Sequence, residues 1–140
     1  MELSTVLTSA VVAALIAGLI SLRSSERKIQ IKNITQERAK WRERIRSNAL
    51  FVHQAASLGD NAKLSELHLA FQLLLNPFDK EDQAILEAIA ALGSSRNVEP
   101  RLPEFAGRVS YLLKHDWDRA KHEAKPWPFR RGEPVRKPFA

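Results

Sequence analysis

Residues 3–22 carry no charged side chain, and this uncharged run limits the folds open to the chain more than any other part of it. At about 1.5 Å per residue, a helix of this length spans about 30 Å, which is the hydrocarbon thickness of a bilayer. A cleaved signal peptide would carry its basic residues before the apolar run, whereas here they follow it. We therefore expect residues 1–23 to form an uncleaved transmembrane anchor.

Basic residues follow the run closely. Arg23, Arg27, Lys28 and Lys32 lie within ten residues of its end, and no basic residue precedes it. The positive-inside rule keeps such residues on the cytoplasmic side, where they attract anionic lipid headgroups. We expect a single-pass protein of the inner (cytoplasmic) membrane, with its N-terminus outside, its C-terminus in the cytoplasm and these four side chains at the headgroups.

Small residues recur at every fourth position of the run, which places them on neighbouring faces of a helix. In lipid, helices associate through close packing of such residues, because hydrophobicity alone cannot draw them together. The pattern predicts association with a second copy of the chain or with another membrane protein. The alternative is an anchor without a partner. The two rows consist of Ser9, Ala13, Ala17 and Ser21, and of Ala10, Ala14 and Gly18.

The chain after the run has the pattern of an all-α domain, which we place at residues 24–124. Neither proline nor glycine interrupts residues 24–54, so the first helix can continue the membrane span. Further amphipathic helices are predicted at about residues 61–75, 80–92 and 104–124, with Asp60 or Asn61 and then Asp79 as N-caps. No alternating strand pattern occurs. We expect a cytoplasmic bundle of about four helices.

The apolar stripes of these helices predict the core of the bundle. Arg38 lies on one stripe and, if buried, needs a carboxylate partner, with Asp79, Asp116 or Glu123 as possibilities. Otherwise it is exposed. The predicted core consists of Ile34, Arg38, Trp41, Ile45, Leu67, Phe71, Ile89, Val109, Leu113 and Trp117.

Four prolines rule out regular structure in the tail, residues 125–140. Residues 119–140 carry seven basic and two acidic side chains, and the tail adds aromatic residues such as Trp127 and Phe129. Such an extended basic segment can fold back onto an anionic membrane surface. A solvated disordered tail is the alternative.

Composition excludes several classes of function. The absence of cysteine rules out a disulfide framework, a thiolate metal site and a cysteine nucleophile. No phosphate-loop pattern occurs, and acidic residues interleave the basic block, which argues against nucleic acid as a partner. His115, Asp118 and His122 have the ligand types of a metal site, but exposed residues of an amphipathic helix explain them more simply. We expect no cofactor, no small-molecule substrate and no enzymatic activity.

Three segments resemble a group of small, mostly uncharacterised bacterial and phage-encoded proteins that have one N-terminal membrane helix and a helical cytoplasmic domain. In the third segment Asp116 stands where the group often has glutamate. The resemblance implies an architecture and brings no reaction with it. The segments are Thr35-x-x-Arg38-x-x-Trp41-x-x-x-Ile45-Arg46, Leu73-Leu74-Leu75-Asn76-Pro77-x-Asp79, and Leu112-Leu113-Lys114-x-Asp116-Trp117-x-Arg119-x-Lys121-x-Glu123.

Together these features favour a non-catalytic inner-membrane protein that acts as an interaction or scaffold module and self-associates through its membrane helix. A membrane-perturbing effector of a phage-related conflict or lysis system is the alternative. A lysis protein of the spanin type would require the bulk of the chain in the periplasm, contrary to the distribution of basic residues.

Overall fold

A computed structural model describes residues 2–125, 130 and 132–139 of the chain, with side chains from residue 11 onward. Within these ranges the protein is all-α, as the sequence predicts, and contains no strand. Residues Met1–Lys40 and Trp41–Ala140 form two compact units, here called unit 1 and unit 2. The helices are α1 (Glu2–Leu58), α2 (Asn61–Leu74), α3 (Lys80–Ser94) and α4 (Arg101–Ala124).

The first helix is long because no proline interrupts it and no glycine follows Gly18 before its end. It stops at Gly59, whose φ of 67° suits a residue without a side chain. The amide of Asp60 donates to the Ala55 carbonyl at 2.9 Å, and that of Gly59 donates to Ala56 at 3.2 Å. This pair of bonds is a Schellman motif, which satisfies carbonyls left unpaired at a helix end.

The transmembrane anchor predicted at residues 1–23 stays a prediction, since no helix in the part of the chain that the structure describes is both long enough and apolar enough to cross a membrane. Ser9 and Ala10 of the predicted small-residue rows belong to residues 2–10, whose side chains lie outside the described residues. From residue 11 to Lys40, every side chain of unit 1 is exposed except that of Arg38, which is half-buried.

Aspartates begin the two middle helices. The Asp60 carboxylate accepts a hydrogen bond from the Lys63 amide at 2.9 Å, and the Asp79 carboxylate accepts from the amides of Glu81 and Asp82 at 2.8 and 3.2 Å. These bonds satisfy amides that a helix N-terminus leaves without partners. Both caps lie where the sequence predicts them.

The last helix begins at Arg101, three residues before the predicted start, although Pro103 lies in its first turn. Proline is tolerated there because first-turn amides have no intrahelical partner. The Val98 carbonyl instead accepts hydrogen bonds from the amides of Arg101 and Leu102, at 3.0 and 3.1 Å.

The core lies in unit 2, where α3 packs against both α2 and α4. Phe71 and Phe105 meet edge to face at its centre, with their ring centroids 5.9 Å apart. Of the ten predicted core residues, Trp41 and Leu113 are partly buried against this core. Five are fully buried in it, namely Ile45, Leu67, Phe71, Ile89 and Val109.

Two predicted core residues are exposed, and here the prediction is wrong. Ile34 is 53% exposed because it belongs to unit 1, which has no buried side chain among its described residues. Trp117 is 49% exposed. It lies five residues after the buried Leu112, about 140° around the helix. Its ring carries two cations instead, Lys121 Nζ at 5.1 Å and the Arg42 guanidinium at 5.9 Å from its centroid.

Candidate functional site

Large apolar side chains cover α1 between residues 11 and 22 in unit 1. Each of seven is between 53% and 65% exposed, and they lie on more than one side of the helix. Contiguous exposed apolar surface of this kind marks an interaction site with a protein or a membrane. The seven are Val11, Val12, Leu15, Ile16, Leu19, Ile20 and Leu22.

The small residues of this segment whose side chains the structure describes are exposed. A Cβ added to Gly18 would meet no atom within 4 Å, so that side of the helix is open. Ala13, Ala14, Ala17 and Ser21 are exposed as well.

The four basic residues predicted to contact headgroups follow the apolar segment on the same helix. Arg23, Arg27, Lys28 and Lys32 are all exposed. Their guanidinium and ammonium groups are accessible to an anionic surface, which attracts each nearby cation by about 1 kcal/mol.

A buried ion-pair cluster joins the N-terminus of α3 to the C-terminal arm, residues 132–139. Asp82 is 5% exposed, and among the described residues it is the one charged residue that is buried. Its Oδ1 lies 2.5 Å from Arg136 Nη1, and its Oδ2 accepts a hydrogen bond from the Asn76 amide at 2.7 Å. Arg136 Nη1 also lies 2.9 Å from Asp79 Oδ1. Both oxygens of the buried carboxylate are therefore paired, as burial of a charge requires.

The electrostatics of the cluster favour its charged form. Burial, the largest single influence, raises the pKa of Asp79, but Arg136 and the amides of Asp82 and Glu81 outweigh it and hold the pKa below the ordinary value. The Asp79 carboxylate is thus ionised in the folded protein at neutral pH, and it both caps α3 and binds Arg136.

Three residues after Arg136, the ring of Phe139 lies on α4. It meets Tyr111 edge to face, with centroids 5.5 Å apart, and the Arg108 guanidinium lies 5.1 Å from its centre. Gly107 makes this approach possible, because a Cβ there would lie 2.4 Å from the ring. The Phe139 amide also donates to Glu81 Oε2 at 3.3 Å.

Trp41 and Arg42, on α1 in unit 2, make polar contacts with other helices. Trp41 Nε1 donates to the Leu74 carbonyl at 2.9 Å, which satisfies an acceptor at the end of α2. Arg42 and Asp116 form an ion pair at 3.5 Å, and each is 15% exposed. The sequence predicts such a pair for Arg38, but two of its expected partners, Asp79 and Asp116, pair with Arg136 and Arg42 instead.

An open groove of about 400 Å³ runs between α1 and α4 in unit 2. Its walls are almost entirely apolar. Two of its ten lining residues, Arg46 and His53 on α1, have basic side chains. The other eight have a small side chain, an apolar side chain or a hydroxyl group. The others are Ala49, Leu50, Leu102, Phe105, Ala106, Val109, Ser110 and Leu113.

The structure does not bring His115, Asp118 and His122 together as a group of three metal ligands. No group of three metal-ligating side chains occurs in the described part of the chain. Asp118 instead forms an ion pair with Lys114. Burial, together with the charges of Arg136 and Arg119, lowers the pKa of His115 despite the opposing effect of Asp79 and Asp116.

The arm is the feature that sequence reasoning missed, since the tail was expected to be extended and either solvated or on the membrane. The described arm residues are extended but contact α3 and α4. One signal was present, because a glycine in a helix interior costs about 1 kcal/mol relative to alanine and often marks a close approach. Gly107 is that residue.

Comparison with protein-family models, with curated proteins and with solved structures gives no significant match. The resemblance to small phage and bacterial membrane proteins therefore stays a prediction.

Proposed function

We propose that the protein is a non-catalytic, membrane-associated helical module, in which residues 3–22 of α1 insert into the inner membrane and unit 2 offers surfaces to other proteins. The observation that carries the proposal is the exposure of all seven large apolar side chains between residues 11 and 22. The four exposed basic residues that follow them add attraction to anionic headgroups.

The free energy available from lipid is large compared with that of an ordinary surface contact. Transfer of one large aliphatic side chain out of water contributes about 1.5–3 kcal/mol. Seven such side chains therefore give on the order of 10 kcal/mol, and apolar residues on several sides of one helix suit lipid, which surrounds a helix completely. Three carboxylates of unit 2 serve in a helix cap and in ion pairs, which supports a non-catalytic role. They are those of Asp79, Asp82 and Asp116.

Membrane fractionation tests the insertion. We expect the full-length protein to stay in the pellet when membranes are washed with alkaline carbonate. Leu15→Lys with Leu19→Lys should release it, because two charges in the hydrocarbon cost about 2.5–3.5 kcal/mol each.

Leu69→Lys with Leu73→Lys is the matched control. These two leucines are also exposed and also four residues apart, but they lie on α2 outside the apolar segment. The control should stay in the pellet. Wild-type protein in the supernatant, or equal release of both variants, would contradict insertion through residues 3–22.

A reporter fused after Ala140 tests the orientation. By the positive-inside rule, the basic residues after the apolar segment favour a cytoplasmic C-terminus, so a fluorescent protein should be bright and alkaline phosphatase inactive there. Active alkaline phosphatase would reverse the proposed orientation.

Self-association through the small-residue face rests on Ala13 and Ala17, which are exposed on one side of α1. Crosslinking in intact membranes should yield oligomers that Ala13→Leu with Ala17→Leu reduces, because the larger side chains hold the helices apart. Val12→Leu with Ile16→Leu is the control on another side of the helix. An unchanged crosslinking pattern in the first variant would argue against this face.

The alternative function has its own test. Loss of membrane potential on expression of the protein would favour a membrane-perturbing effector over a scaffold.

A further inference from the structure

The arm contacts unit 2 as a bound peptide does. None of the buried core residues comes from it, so the hydrophobic core is complete without it. Residues 133–139 form no helix or strand, and exposed side chains such as Val135 and Lys137 flank the partly buried Arg136. Pro134 and Pro138 restrict the backbone to an extended form, which reduces the entropy lost on binding.

The first contact of the arm is the pair of ionic contacts made by Arg136. The Arg136 side chain is 10% exposed, and its Nη1 lies within 2.9 Å of two carboxylates, one from Asp79 and one from the buried Asp82. A planar guanidinium is less strongly hydrated than an ammonium group and is favoured in buried ion pairs. Desolvation therefore favours arginine over lysine at this position, although Nη1 makes both ion pairs and Nε is buried without a hydrogen bond among the described residues.

The second contact is the aromatic ring of Phe139, three residues further along. Gly107 leaves the space for the ring of Phe139, whose edge and face meet Tyr111 and Arg108. An aliphatic side chain would lack the electrostatic attraction that a ring gives to the guanidinium.

We propose that this surface of α3 and α4 is a peptide-binding site for an extended segment that carries an arginine and, three residues later, an aromatic ring. The arm of the same copy fills the site, and the arm of a second copy can replace it. The proposal does not depend on membrane insertion. The arm is then a removable ligand of this site, and the arm of a second copy has to displace it in order to bind.

Fluorescence anisotropy with a labelled peptide of residues 132–140 tests the proposal on the full-length chain in mild detergent. The receptor is the full-length double variant Arg136→Ala with Phe139→Ala, in which the chain's own arm no longer fills the site. We expect this receptor to bind the peptide at least about tenfold more tightly than the wild-type chain does, because the apparent affinity is proportional to the fraction of sites that are free. The peptide with alanine in place of Arg136 should not bind.

Asp82→Asn in the same receptor should abolish binding of the native peptide, since it removes the buried charge that receives the guanidinium. Circular dichroism shows whether each receptor is folded. If the double variant does not fold, Phe139→Ala alone serves as the receptor. Its own Arg136 still competes for Asp79 and Asp82, so the peptide should bind more tightly than to the wild-type chain but by less than tenfold. No saturable binding to a folded receptor, or equal binding of the native and alanine peptides, would overturn the site.

Exchange between copies is tested by mixing two full-length variants. One lacks the arm contacts (Arg136→Ala with Phe139→Ala) and keeps the site, and the other keeps the arm and lacks the site (Asp82→Asn). Both variants also carry Ala13→Leu and Ala17→Leu, which reduce association through α1. The mixture should then form a one-to-one complex that neither variant forms alone, and the wild-type peptide should dissociate it. Peptide binding without such a complex would overturn the exchange between copies.

Discussion

Replacement of Arg136 by alanine should destabilise unit 2, because it removes the cation that faces the buried carboxylate of Asp82. Removal of one partner from a fully buried ion pair costs about 3–5 kcal/mol. The cost here is smaller, since Asp82 keeps its hydrogen bond from Asn76 and Asp79 is 32% exposed to water. Water can also reach both carboxylates once the arm detaches. We expect a loss of about 2 kcal/mol from a total that is about 5–15 kcal/mol for a typical domain.

Thermal unfolding of the full-length protein in mild detergent measures this loss. Unit 2 has about 100 residues, and for domains of that size each 1 kcal/mol lowers the Tm by about 4–8 °C. The Tm of Arg136→Ala should therefore fall by about 8–16 °C. Lys137→Ala is the matched control, because Lys137 is the next residue and is exposed. Its stability should change by no more than about 0.5 kcal/mol.

A double-mutant cycle assigns the effect to the ion pair. Arg136→Met and Asp82→Leu should each destabilise the protein alone, whereas together they should cost less than the sum, because the combination leaves no unpaired charge. Additive effects, or a Tm of Arg136→Ala equal to that of Lys137→Ala, would refute the reasoning.

Three further predictions concern side chains of unit 2. Trp41→Phe should cost about 1 kcal/mol in urea unfolding, because it removes the hydrogen bond to the end of α2, whereas Trp117→Phe should cost less than half as much. Gly107→Ala should displace the ring of Phe139 and destabilise the wild-type chain. In a Phe139→Ala background it should instead raise the free energy of unfolding by up to about 1 kcal/mol. A change of the same sign in both backgrounds would argue against the contact. The pKa of His115 is lowered in the folded protein, so near pH 6 the unfolded chain binds more protons than the folded chain does. The contribution of neutral His115 to stability is therefore complete above about pH 6.5 and falls as the pH drops from there through the folded pKa. His115→Gln should flatten the dependence of Tm on pH between 7.5 and 5.5, and an unchanged slope would contradict this.

Local features of the fold were predictable from the sequence because they depend on neighbouring residues. Asp60 and Asp79 cap the helices that follow them, and Gly59 ends α1, each through bonds that span five residues or fewer. Phe71 and Ile89 are buried where helical periodicity places them.

Contacts between distant residues were not predictable in this way. Arg136 and Asp82 are 54 residues apart, and no periodic pattern in an irregular tail indicates which acid an arginine will meet. The stripe that contains Arg38 did not indicate that Arg42, one turn later, would pair with Asp116 of the last helix. A pattern with a 3-4 spacing defines a face of a helix and leaves its exact rotation toward a neighbour to packing.

Spin labelling at residue 16 is the sharpest test of whether α1 enters lipid. The chain has no cysteine, so Ile16→Cys gives one defined labelling site in the apolar segment, and Leu50→Cys, at an exposed position of unit 2, gives its control. In vesicles of anionic lipid, the label at residue 16 should be relaxed strongly by oxygen, which concentrates in the hydrocarbon, and weakly by a water-soluble nickel complex, while the label at residue 50 should show the reverse. Equal access of the nickel complex to both labels would contradict membrane insertion.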